Sequence, residues 1–242
     1  MKLLCDLGNT RLKWAFWDGA LSGFGSAGYV GEHDFTSALL GLKEVPSLVA
    51  AISVAPRFHP LFTEFCERHW RVTPRWYRAR REAAGIRSLY EPPETLGADR
   101  FAALVGARAR TGRRSVSVVD CGTAITVDAL DGEGVFQGGV IMPGMAASAE
   151  ALRRTAEGLA VTDSVAVASV LGRRTHDAVR GGLVIGAAGA IDRVLGEQRS
   201  QFADDPLVLV TGGDAEILSP YLKSRHEIVP HLTLEGLVVM TV

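Results

Sequence analysis

Two stretches of this chain, 114 positions apart, are built to the same plan. In the first, a short apolar run ends in an acid at Asp6, turns through Gly8-Asn9-Thr10 and resumes over Leu12–Trp17. In the second, Ser115–Asp120 ends in an acid, turns at Gly122-Thr123 and resumes over Ile125–Leu130. An Asp-Gly pair follows each, at Asp18-Gly19 and Asp131-Gly132, and signals a tight hairpin into a third strand. Repetition of such a pattern at close to half the chain length predicts an internal duplication. The expected architecture is therefore two α/β halves, 1–113 and 114–242, around a central cleft of the kind that houses small-molecule chemistry.

The remaining elements fit this frame. Asp34 reads as the N-cap of a short helix through Leu42. Leu48–Val54 is a continuous apolar run, as a central parallel strand requires, and a helix from about Pro60 to Trp70 follows. Glu91–Gly97, with two prolines, must be a loop, and it opens a helix from Ala98 to Arg110. Helices are expected over Met145–Arg154 and 175–195, then a buried strand at Leu207–Val210 and two short helices with a strand to the end.

Composition excludes several classes. The 242 residues carry a net charge of −1, so nothing global draws the chain to nucleic acid or an anionic membrane. One basic stretch, Arg68–Arg87, also holds Trp70, Trp76 and Tyr77. It reads either as a phosphate or nucleic-acid patch or as a solvated Arg-rich face, and overall neutrality favours the second. Cys5, Cys66 and Cys121 are odd in number and widely spaced, which argues against a disulfide framework or zinc site and for a reducing, cytoplasmic setting. The start MKLLCDLGNT leaves no room for a signal peptide, and no apolar run approaches a membrane span of about 20 residues.

The two turns carry the chemistry. Glycine at Gly8 lets backbone N–H groups approach an anion closely. Asn9 and Thr10 add neutral donors, Lys13 adds charge, and Asp6 at the strand end can hold a divalent cation through water. A polyphosphate–metal complex needs these groups. Gly122 and Thr123 repeat the device in the second half, and two such hairpins can clamp one nucleotide tail.

Paired hairpins of this kind resemble the sugar kinase, heat-shock ATPase and actin superfamily, whose fold is the actin-like (ribonuclease H-like) ATPase fold. More closely, the chain resembles type III pantothenate kinase. That family opens with Asp-x-Gly-Asn-Thr-x-x-Lys, matched from Asp6 to Lys13. Its Tyr-x-Asn-Pro-x-x-Leu-Gly-x-Asp-Arg segment is matched from Tyr90 to Arg100, with one departure, Pro92 in place of Asn. Asp-x-Gly-Thr-Ala is matched by Asp120 to Ala124, Gly-Gly-x-Ile-x-Pro-Gly by Gly138 to Gly144, and Thr-x-x-Ala-x-x-x-Gly by Thr175, Ala178 and Gly182. The matches keep their order and span nearly the whole chain.

The resemblance implies ATP-dependent phosphorylation of pantothenate to 4'-phosphopantothenate, the first step of coenzyme A biosynthesis. It assigns Asp99 as general base, which from position alone is equally an acid satisfying a helix dipole. It places pantothenate against Tyr90, Gly97, Ala98, Asp99, Arg100 and Thr175, and ATP with Mg²⁺ against Asp6, Gly8, Asn9, Thr10, Lys13, Gly122 and Thr123. Asp120 would ligate a monovalent cation, K⁺ or NH₄⁺, with Asp6 acting indirectly on Mg²⁺. A homodimer is also implied. Thr211-Gly212-Gly213-Asp214 resembles the adenosine-side turn of the superfamily and reads equally as a plain strand-to-helix turn. His176 beside Thr175 reads as a solvated helix-start residue. Two other functions fit the fold: a kinase for a different small alcohol, and a nucleotide-switched regulatory module.

Overall fold

The structure is a computed structural model and describes residues 1–42, 44–156 and 168–241. In chain order the strands and helices are β1 (Lys2–Leu7), β2 (Arg11–Trp17), β3 (Leu21–Gly28), α1 (Glu32–Leu40), β4 (Leu48–Ser53), α2 (His59–Trp70), β5 (Arg75–Trp76), β6 (Glu82–Ala83), β7 (Ile86–Ser88) and α3 (Ala98–Thr111). They continue as β8 (Val116–Cys121), β9 (Ala124–Leu130), β10 (Val135–Pro143), α4 (Met145–Thr155), α5 (Thr175–Arg199), β11 (Leu207–Thr211), α6 (Ala215–Leu218), β12 (Glu227–Ile228) and α7 (Leu232–Met240). Residue contacts divide the chain into two units. The first is Met1–Gly112 with Gly134–Phe136 and the chain from His231 onward; the second is Arg113–Glu133 with Gln137–Pro230.

In the first unit the strands run β3-β2-β1-β4-β5. β1 is antiparallel to β2, with Asp6 opposite Lys13, and parallel to β4. Its alternate side chains bury on opposite faces of the sheet, as the period of a strand dictates. Leu3, Cys5 and Leu7 meet Phe35 and Leu39 of α1 and Phe62 and Cys66 of α2. Leu4 meets Ala98 and Ala102 of α3 and Leu234 and Leu237 of α7. Each such leucine contributes roughly 1.5–3 kcal/mol by leaving water.

α7 lies in the second half of the sequence yet packs in the first unit, against α3. Two glycines permit it. A Cβ on Gly236 would stand 1.7 Å from the Ala102 carbonyl oxygen, and one on Gly106 would stand 2.4 Å from that of Leu232. The Arg110 guanidinium closes the contact on Glu235 at 3.0 Å.

In the second unit the strands run β12-β11-β8-β9-β10. Read in reverse, this repeats the first unit: a three-strand meander whose first strand pairs parallel with a later strand, β11 with β8 as β4 with β1. α5 and α6 cover one face, with Val184, Ile191, Leu195 and Leu218 against Val119, Ile125 and Val210. Val135 and Phe136, which open β10, pair instead with Arg87 and Ser88 of β7 in the first unit.

Two expectations change in detail. Asp34 is not the N-cap of α1; the helix begins two residues earlier behind Gly31, and the Asp34 carboxylate reaches back to the Val30 N–H at 3.3 Å. The basic stretch is mostly extended chain: β5 is the edge strand of its sheet, and Arg75, Arg78, Arg80 and Arg87 are exposed. Charge on an edge strand discourages pairing with another chain. The three cysteines are free and buried. Among the described residues no helix is long and apolar enough to cross a membrane.

Candidate functional site

The first unit brings most of the expected residues together. Asp6 is the last residue but one of β1, only 6% exposed, directly across from Lys13 on β2. Between them the turn is held by the Gly8 N–H donating to the Arg11 carbonyl at 3.0 Å. A Cβ at position 8 would press on that oxygen at 3.0 Å, so glycine is needed for the turn to close. Asn9 and Thr10 stand exposed at the tip.

Asp99 lies in the first turn of α3, where the helix dipole favours a carboxylate. Its Oδ1 accepts the Arg100 N–H at 2.7 Å. Gly97 precedes it because a Cβ there would stand 2.6 Å from that same Oδ1. Burial pushes the Asp99 carboxyl above its ordinary range; the Arg100 amide and guanidinium, and Lys13 more distantly, pull it back only in part. A half-buried carboxylate whose pKa is raised makes Asp99 a candidate for proton transfer.

Arg100 points away from solvent, 7% exposed, under two aromatic rings. Its guanidinium lies 5.5 Å from the Tyr90 ring centre and 5.8 Å from that of Phe136, and the two rings are themselves stacked at 6.0 Å. Such contacts fix a cation where a carboxylate or amide ligand can find it. Pro92, the departure from the family pattern, follows Glu91 in a cis peptide, and its carbonyl accepts the Thr95 hydroxyl at 2.7 Å. Phe136 carries no signal in the sequence, since it lies outside the matched segments.

In the second unit Asp120 is the last residue but one of β8, opposite Thr126 and beside Thr211 of β11. The Gly122 N–H donates to the Ala124 carbonyl at 3.1 Å, a turn one residue tighter than the Gly8-to-Arg11 closure of the first hairpin. Thr123 is exposed at the tip, and its carbonyl accepts the Gly144 N–H at 3.1 Å. Gly212, at φ +97, lies so close to Cys121 and Asp120 that a Cβ would meet their oxygens at 2.4 and 2.5 Å. The Thr211–Asp214 turn therefore packs on the Asp120 strand end, tied by the Asp214 N–H to the Cys121 carbonyl at 2.9 Å. Thr175 stands on a separate element, exposed at the start of α5. Its neighbour His176 lies 3.1 Å from Asp177.

Among the described residues no group of three or more His, Cys, Asp or Glu side chains could hold a metal by itself. Within each unit a single carboxylate, Asp6 in the first and Asp120 in the second, stands at the hairpin, a donor set too small to hold a divalent metal without phosphate or water completing the shell.

Comparison with known proteins gives the family and the fold. The sequence model of the type III pantothenate kinase family matches residues 2–197. A type III pantothenate kinase of Nitrosococcus oceani is 35% identical over 98% of this chain and 92% of its own length. Among solved structures, a Campylobacter jejuni protein assigned to the Baf family of transcriptional activators superposes with a TM-score of 0.65, at 20% identity over 98% of this chain and 96% of its own. A Sinorhizobium meliloti protein assigned as 2-dehydro-3-deoxygalactonokinase gives 0.60, at 13% identity over 100% and 98%.

Fold, topology and matches together define a small-molecule kinase with the actin-like ATPase fold. The match across most of the chain narrows this further: the chain belongs to the type III pantothenate kinase family.

Proposed function

We propose that the chain transfers the γ-phosphoryl group of ATP to pantothenate, giving 4'-phosphopantothenate and ADP at the entry to coenzyme A biosynthesis, with Asp99 as general base. The observation that carries this is Asp99 itself: a half-buried carboxylate at the head of α3, its Oδ1 engaged by the Arg100 N–H and its pKa pushed up by desolvation. The other carboxylate oxygen takes the proton of the acceptor hydroxyl as that oxygen attacks phosphorus. The bond to the ADP oxygen breaks, and ADP leaves as the anion. A base of this kind mainly orients the nucleophile, because phosphoryl transfer rests on positioning and charge stabilisation.

Arg100, stacked under Tyr90, holds the pantothenate carboxylate, and Gly97 and Ala98 leave room for the chain behind it. Thr175 adds a hydroxyl from α5. Gly8, Asn9, Thr10 and Lys13 take phosphate oxygens, as do Gly122 and Thr123 in the second hairpin. Mg²⁺ bound with the nucleotide would neutralise charge developing between the β- and γ-phosphates. Asp6 would orient that metal through water, and Asp120 would ligate K⁺ or NH₄⁺.

A homodimer is part of the same reading, and the protein works in the cytoplasm. Val170 and Leu171 are each 78% exposed. They line a cavity of about 500 Å³ with Ala178, Gly181, Gly182 and Ile185 of α5, a surface suited to a second copy. A monomer in light scattering would remove this part.

The test is a coupled ADP-release assay with Mg²⁺, run with and without pantothenate, in potassium and again in sodium. Turnover that requires pantothenate and rises with potassium is expected. Pantothenate-independent ATP hydrolysis, or turnover only with other alcohols, would move the assignment to a regulator or a different kinase.

A further inference from the structure

The hairpin at Gly8–Thr10 is held from outside itself at three consecutive carbonyls. The Tyr29 hydroxyl donates to the Gly8 carbonyl. The Arg57 guanidinium donates to the Asn9 carbonyl at 3.5 Å. The Tyr29 N–H donates to the Thr10 carbonyl at 2.9 Å. None of these donors belongs to the matched motifs, and Tyr29 and Arg57 are 28 positions apart in the sequence.

Three pinned carbonyls have a consequence for the opposite edge of the backbone. In a trans peptide the C=O and the following N–H point in opposite directions within one plane. The only cis bond in the described chain is Glu91–Pro92. Fixing the carbonyls of residues 8, 9 and 10 therefore fixes the directions of the N–H groups of residues 9, 10 and 11. Those amides are what an anion at the turn would meet.

Tyr29 is itself firmly seated. Tyr29 is 4% exposed. Its ring sits edge-on to Phe35 at 5.0 Å and to Phe58 at 4.8 Å. Phe58 is also the ring beneath Arg57, whose guanidinium carbon lies 4.8 Å from its centre. One aromatic cluster thus seats both donors. Burial, with the Asp6 charge adding to it, pushes the Tyr29 phenol up to about 12, so it remains a proton donor throughout the assay range.

We propose that Tyr29, with Arg57 as a weaker second brace, is a positioning residue that presets the amides of the first hairpin for the nucleotide's phosphates. Neither side chain needs to touch the nucleotide. A preset turn loses less freedom on binding, and that difference appears as affinity. The inference rests on the reading of this hairpin as a phosphate site.

The test uses Tyr29→Phe, which keeps the ring and removes the hydroxyl, and Arg57→Ala, which alters only an exposed side chain. Loss of one hydrogen bond worth about 1 kcal/mol should raise KM for ATP roughly fivefold in Tyr29→Phe. Arg57→Ala should raise it roughly twofold, consistent with its longer bond, and Arg57→Lys should recover part of that. KM for pantothenate, and kcat at saturating ATP, should stay within about twofold, and calorimetric affinity for inorganic triphosphate should fall in step with that for ATP. Unchanged KM for ATP in both variants, with the wild type binding triphosphate, overturns the inference and leaves the phosphate site standing. Equal losses for ATP and pantothenate also overturn it, because they mark general loosening. A wild type that binds neither ATP nor triphosphate overturns the phosphate site, and the inference with it.

Discussion

Replacing Asp99 with Asn separates chemistry from folding at a single position. Asn keeps the shape and offers an oxygen to the Arg100 N–H, a bond of 2.7 Å in the native chain, but it cannot take a proton from a hydroxyl. A general base is worth roughly 10²–10⁴-fold, or about 2.7–5.4 kcal/mol at 1.36 kcal/mol per decade. Asp99→Asn should therefore lose turnover by that factor while binding ATP normally. Stability should move the other way. The folded-state pKa of Asp99 is raised by burial. At pH below the ordinary carboxylate range both folded and unfolded chains are protonated there, and the site costs nothing. As pH rises past that range the unfolded chain ionises first, so native stability falls until the folded-state pKa is passed, and the cost is then complete. Asp99→Asn escapes this cost. Its melting temperature should equal or exceed that of the native protein near pH 8, and the gap should close on acidification. Paired measurements, ADP release at saturating substrates and thermal melts from about pH 4.5 to 8, decide the matter. A turnover loss under about tenfold would refute the role of base. A variant that melts lower at pH 8 than at acid pH, relative to the native protein, would refute the burial argument.

Other substitutions probe the scaffold and the second hairpin. Gly236→Ala drives a methyl toward the Ala102 carbonyl, 1.7 Å from the ideal Cβ position. Overpacking costs about 1–3 kcal/mol, and backbone gives way poorly, so a fall in melting temperature of roughly 6–12 °C is expected; no change would mean that α3 and α7 are not in contact. Gly212→Ala strains a backbone at φ +97 and crowds Asp120 Oδ1 at 2.5 Å, so potassium activation should require higher salt while Asp99-dependent proton transfer, read from the acid limb of the pH profile, stays put. Arg100→Lys keeps the charge but loses the stacking under Tyr90 and Phe136. KM for pantothenate should rise roughly 5–30-fold, the equivalent of about 1–2 kcal/mol, with KM for ATP little altered.

The strands and both turns were legible because their chemistry is local. An apolar run that ends in an acid and turns on a glycine reads the same at Asp6 as at Asp120, and in each the glycine N–H closes the turn on a carbonyl, three residues on at Gly8 and two at Gly122. Asp99 was legible as an acid at a helix start, and the structure puts it in the first turn of α3; its proposed role as base rests on the Gly97–Arg100 pattern. What the sequence hid was distance. Leu232–Met240 is apolar nearly all round, so no face declares a destination, and its fit depends on one glycine in each helix meeting the other's backbone. Tyr29 and Arg57 lie in stretches without a motif, and they reach the hairpin only once β3 and β4 have paired beside β1 and β2. Asp34 misled because an N-cap and a third-position acid look alike until the helix start is known.

The route of the chain also sets an order of manufacture. α3, which bears Asp99, leaves the ribosome complete at Thr111, but the helix that packs on it begins only at Leu232. About 120 residues of another unit are translated in between, which takes roughly 6–24 s at 5–20 residues per second. Throughout that interval the part of α3 around Gly106 that α7 will cover has no helix against it, so the half of the protein made first is the half finished last. A nascent chain stalled before position 231 should bind chaperones along α3, and one released just past Met240 should not.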